Sequence, residues 1–85
     1  MNEVQIGKVT HYFNRISVAV LELDSELNVG DTIHIVGRIT DFVMRVGSME
    51  INHQKVQSVS AGDDVALQVD EYVRDGDAVF KVLEG

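Results

Sequence analysis

The sequence predicts an all-β protein, a small closed antiparallel β-barrel of about six to eight strands. Three observations carry that expectation. First, 15 Val, 6 Ile and 3 Thr stand among 85 residues, and β-branched side chains suit a pleated, half-buried surface. Second, apolar and polar residues alternate in several short runs, and no stretch repeats apolar residues at helical spacing for three turns. Third, one turn pattern occurs three times with identical spacing: Leu27-x-x-Gly30-Asp31-x-Ile33, Val59-x-x-Gly62-Asp63-x-Val65 and Val73-x-x-Gly76-Asp77-x-Val79. Many short strands without a helix fit a barrel or sandwich, and closure removes exposed edges.

Taken in order, strands are expected near 3–12, 15–23, 32–36, 39–46, 48–52, 64–70 and 78–83. The first changes phase. Val4 and Ile6 stand on even positions, Val9, His11 and Phe13 on odd ones, and Gly7 between them marks a β-bulge. In the second, Ile16, Val18 and Val20 share a face. Ile33 and Ile35, then Phe42, Met44 and Val46, then Val65, Leu67 and Val69 continue the period-2 alternation. Within the repeated turns, Gly supplies a positive φ without Cβ strain, and Asp bonds nearby backbone N–H groups before the next strand. Asn14-Arg15 and Gly37-Arg38 mark two further hairpin turns.

At 85 residues the chain holds one core, so a single domain over 1–85 is expected. The 14 acids and 7 bases give a formal net charge of −7, which opposes nonspecific binding to DNA or to anionic lipid. The acids are uneven. Residues 1–45 hold 6 acids and 4 bases, residues 46–85 hold 8 and 3. With no Cys there is no disulfide, thiolate nucleophile or Cys-based zinc site. The N-terminus shows no signal-peptide pattern and no apolar run is long enough for a membrane helix, so a cytoplasmic protein is expected. No GxxxxGK[ST] motif is present to bind nucleotide.

These residues resemble two related groups of barrels. Ile6-Gly7-x-Val9, Leu27-x-Val29-Gly30-Asp31-x-Ile33-x-Ile35-x-Gly37, Val46-x-x-Met49-x-Ile51, Ala61-Gly62-Asp63-x-Val65 and Gly76-Asp77-x-Val79-Phe80 resemble domain II of translational GTPases such as elongation factor Tu. In that domain an aromatic and a basic residue help hold the aminoacyl end of tRNA, and the matching positions here are Asn52 and His53. A fuller match is to the barrel at the C-terminus of collagenase-like (family U32) peptidases. It rests on Gly7-Lys8-Val9-Thr10-His11-Tyr12-Phe13, Thr40-Asp41-Phe42, Ser48-Met49-x-Ile51-x-His53-x-x-Val56 and Val73-Arg74-x-Gly76-Asp77. The likeness covers roughly residues 5–83 and includes none of the peptidase catalytic residues.

The resemblance implies a non-enzymatic binding module that docks structured RNA or a translation-linked or RNA-modifying protein. The residues it implies are His11, Tyr12, Phe13, Thr40, Asp41, Phe42 and His53. Arg38, at its Gly-Arg turn, adds a polar contact. The alternative is a protein–protein accessory domain for a separately encoded collagenase-like enzyme. Phe13 shares the phase of Val9, which turns it to the core and leaves Tyr12 facing the other way, free to stack on a base or anchor a partner loop. The less acidic half suggests that the 10–15 hairpin and the 36–42 turn lie near one another. No metal site is expected, because His11, His34 and His53 stand on separate segments without a ligand spacing. The acids of Asp63-Asp64, Asp70-Glu71 and Asp75-Gly76-Asp77 lack a calcium-loop pattern and read as turn acids. No GxSxG or other nucleophile motif is present, so neither catalysis nor a cofactor is expected.

Overall fold

The computed structural model describes residues 2–83. Its elements are β1 (Asn2–Phe13), β2 (Val18–Leu23), β3 (Leu27–Asn28), β4 (Thr32–Val36), β5 (Asp41–Arg45), β6 (Met49–Ile51), β7 (Gln54–Val56), β8 (Ser58–Val59), β9 (Asp64–Gln68) and β10 (Ala78–Leu83). Every pairing is antiparallel and no helix occurs among the described residues. Eight strands form one sheet in the order β5-β4-β10-β1-β2-β9-β6-β7, and β3 and β8 form a second sheet of two. The all-β expectation holds.

Closure does not. The large sheet ends at β5 on one side and β7 on the other, and these two strands do not pair. A closed barrel needs its first and last strands in register along their length. Here the chain from residue 46 to 63 is cut into β6, β7 and β8, of 3, 3 and 2 residues, too short to complete the wall. The β3–β8 ladder stands as a separate sheet, and beside it Gly30 bonds to Val46, just past β5, and Val29 to Gln57, just past β7. Its strands run on in sequence from β7 and toward β4, and they bury Leu27 and Val59 in the common core.

The three Gly-Asp turns share one geometry. Gly30, Gly62 and Gly76 have φ of +97°, +91° and +92°, as the third residue of a type II turn requires. In each, the Asp carboxylate accepts the backbone N–H three residues earlier: Asn28 to Asp31, Ser60 to Asp63 and Arg74 to Asp77, each at 2.9 Å. Each turn also grips one core residue of another strand or strand end through two backbone bonds. Gly76 N–H donates to Val9 C=O and Val9 N–H to Asp77 C=O; the other two turns hold Leu23 and Val46 in the same way. The flanking apolar residues Leu27, Val59 and Val73, and Ile33, Val65 and Val79, are all buried.

Two bulges shape β1. The expected one lies at Ile6, where the register against β10 jumps from Gln5 to Gly7. Gly7 is needed there because a Cβ would meet the backbone carbonyl of Glu22. A second jump, from Val9 to His11 against β2, was not readable. It skips Thr10 and reverses the phase beyond it, since one extra residue flips every later side chain. Val9 therefore stays buried, while His11 and Phe13 turn outward and Tyr12 packs against the core. The expected core position of Phe13 is corrected by this bulge. On β2 the buried residues are Ala19, Leu21 and Leu23, so Ile16, Val18 and Val20 line the outer face.

Candidate functional site

The second bulge builds an outer groove. Phe13 and Val18 pair across β1 and β2, and Val20 is opposite Ala66 on β9, so apolar side chains stand on three neighbouring strands. Phe13 is 47% exposed and Ile16, on the hairpin tip, 61%. Together with Val18, Ala66 and Leu67 they line a groove of about 400 Å³, whose polar rim is Ser48, Glu50, His53 and Gln68. His11 stands edge-on to Phe13, ring centroids 4.4 Å apart. His53 reaches this rim from the two-residue β6–β7 turn, where Asn52 and His53 have φ of +51° and +65°. That is the type I′ pattern, and Asn and His are among the non-glycine residues that adopt a positive φ most readily.

Tyr12 goes elsewhere. It meets Tyr72 edge-on at 4.8 Å, and the pair borders a depression that includes Arg74 and Asp75. Arg38 and Ile39 border another depression that shares Arg74 and Asp75 and continues to Asp77. The 10–15 hairpin and the 36–42 turn thus both border the 72–77 loop, at Arg74 and Asp75. Thr40 and Phe42 are buried, and Thr40 C=O accepts the Gly37 N–H that closes the turn. Asp41 is exposed and turns to His34 on the neighbouring strand.

The structure therefore brings His11, Phe13 and His53 to one face and Tyr12 and Arg38 to another. Thr40 and Phe42 support the turn from inside. Sequence reasoning missed Ile16, Val18 and Ala66 in the groove, and Tyr72 and Arg74 in the loop. The surplus of apolar residues around Ile16, Val18 and Val20 was the available signal for the first set. Among the described residues no three His, Asp or Glu side chains form a metal-binding group. No helix among them is long and apolar enough to cross a membrane.

An antiparallel β fold of this kind defines an architecture and not one activity. No protein-family profile matches the chain. An uncharacterised protease of Methanocaldococcus jannaschii is 39% identical over 83 residues, which is 96% of this chain and 20% of that protein. A Porphyromonas gingivalis collagenase is 32% identical over 81 residues, 93% of this chain and 20% of the collagenase. This chain spans about a fifth of the length of these curated relatives. Among solved structures, the C-terminal domain of a Geobacillus thermoleovorans protein assigned to the U32 peptidases superimposes with a TM-score of 0.86. That match has 15% identity and covers 92% of this chain and 91% of the other. The sequence relatives are thus a protease and collagenases, and the fold is that of a U32 peptidase C-terminal domain. The likeness to elongation factor Tu domain II is not what these matches show.

Proposed function

We propose that this chain is a non-catalytic accessory module of a collagenase-like protein, docking the catalytic part through the groove of Phe13, Ile16, Val18 and Ala66. The groove carries this reading. It is an apolar depression with a polar rim on a chain of net charge −7, the composition of a protein-docking surface rather than of a phosphate-binding one. The relatives, a protease and collagenases, support the accessory-domain reading over RNA docking. His11 and His53 border the apolar strip and supply hydrogen bonds at its rim. Tyr12, Tyr72 and Arg38 form a separate face and are not needed for this contact.

The test is titration of the chain into the catalytic part of a collagenase-like protein, with bulk tRNA as a parallel arm. Saturable binding to the protein is expected, and Phe13→Ser combined with Ile16→Ser should weaken it at least tenfold, about 1.4 kcal/mol. The melting temperature of that variant should fall by no more than a few degrees. Binding to tRNA alone, or unchanged protein affinity in the folded double variant, overturns the proposal.

A further inference from the structure

Among the described residues, His34 alone has both ring nitrogens engaged by acids. Its Nδ1 lies 2.9 Å from both carboxylate oxygens of Glu3, and its Nε2 lies 2.5 Å from Asp41 Oδ1. The three residues stand on three strands. Glu3 is near the start of β1, His34 is central on β4, and Asp41 opens β5, the unpaired edge of the large sheet. Cross-strand register explains the meeting. His34 is opposite Phe80 on β10 and Val43 on β5, and Phe80 is opposite Gln5 on β1. The imidazole thus lies in a row of neutral side chains, with one carboxylate on each side.

A neutral imidazole has one N–H and one lone pair, so it can donate to only one of two carboxylates. The imidazolium donates to both. We propose that His34 is a proton-operated tie across β1, β4 and β5, holding Glu3 and Asp41 together when protonated and releasing one of them when it loses the proton. The contact kept is the shorter one, to Asp41, so Glu3 is the carboxylate released and the start of β1 is the element left loose.

Electrostatics agree with the geometry. The hydrogen bonds to Asp41 and then Glu3 raise the His34 pKa above its ordinary 6.5, against a smaller opposing effect of burial. From β5, Asp41 and, one row further, Arg45 face this region. From β1 the charged group is Glu3, and the outward residues of β10 (Ala78, Phe80 and Val82) carry no charge. Arg45 makes no ion pair with either acid among the described residues. Because the folded value is raised, the stabilisation is complete below the unfolded value near 6.5 and is lost as pH rises through the folded one. Each unit of separation is a tenfold change in the folding equilibrium across that window.

Nuclear magnetic resonance of the whole chain between pH 5 and 9 tests the tie. The His34 ring should titrate above 6.5, and its midpoint should fall in Glu3→Gln, fall further in Asp41→Asn, and reach the ordinary value in the double variant. Protection of the amides at the start of β1 against exchange should drop through the same midpoint in the wild type and stay level in the double variant. Both substitutions are isosteric and at surface positions. If either still disturbs folding, the wild-type midpoint and its protection curve at the start of β1 decide alone. A wild-type midpoint at or below 6.5 overturns the proposal, as does protection at the start of β1 that follows pH identically in the wild type and the double variant.

Discussion

Two histidines sit beside phenylalanines on the outer surface of the large sheet, one on each half. His34 and Phe80 lie on β4 and β10, ring centroids 6.4 Å apart. His11 and Phe13 lie on β1, 4.4 Å apart. The first histidine is held by two carboxylates and is only partly exposed; the second is exposed and has no recorded acid partner among the described residues. Beneath both halves lies the same core. The difference shows what each half can do. Where polar groups are satisfied within the fold, a face contributes to holding it together. Where an apolar strip and its rim are left to solvent, as at Phe13 and Ile16, a face can meet another molecule.

The comparison breaks most completely when the shared core is broken. Val65, on β9 opposite Leu21 of β2, is fully buried, whereas its neighbour Asp64 is exposed. Val65→Asp should cost more than about 4 kcal/mol and abolish cooperative unfolding, because a lone carboxylate there loses its hydration. Asp64→Asn should stay within about 0.5 kcal/mol. Denaturant midpoints of the two variants check this, and equal midpoints would mean that the β9 phase is wrong.

A smaller change should separate the halves. Gly37 closes the β4–β5 turn, and a Cβ there would collide with the Asp77 carboxylate that caps the third Gly-Asp turn. Gly37→Ala should destabilise by about 1–3 kcal/mol and loosen the His34 half first, seen as faster amide exchange in β5 and in residues 74–77. Gly47, where a Cβ meets nothing within 4 Å, serves as the control, and Gly47→Ala should change stability by under about 0.5 kcal/mol. The smallest expected effect is on the open half. Phe13→Ser should move the denaturation midpoint by no more than about 0.5 kcal/mol, since the ring is half exposed. A larger loss would show that Phe13 packs as a core residue and would weaken the contrast between the halves.

Local features were legible and long-range ones were not. The three Gly-Asp turns could be read because their chemistry lies within seven residues. A positive φ, a carboxylate and two flanking apolar side chains are each a property of one position. The bulge near Gly7 was visible as a change of apolar phase that a glycine could absorb. The bulge at Thr10 left no such mark, because His11, Tyr12 and Phe13 can face either way without breaking a pattern. Whether β5 meets β7 depends on the lengths of β6, β7 and β8, which short turns at Asn52-His53 and beyond cut down. The His34 tie joins residues 3, 34 and 41, and only the register of four strands brings them together.

The three turn clips bear on how such a chain can drift. Each one fastens a core residue of another part of the chain, Val9, Leu23 or Val46, through main-chain groups alone. The gripped side chain is asked only to be apolar and to fit. The heaviest demands of register thus fall on three glycines and three aspartates, and the rest of the wall can exchange Val, Ile and Leu with little penalty. A lineage built this way can replace most of its sequence while its outline stays fixed. The U32 domain that shares this fold at 15% identity with a TM-score of 0.86 is consistent with that freedom. It also means that the outer faces, released from holding the fold together, are where descendants of one ancestor can diverge in what they touch.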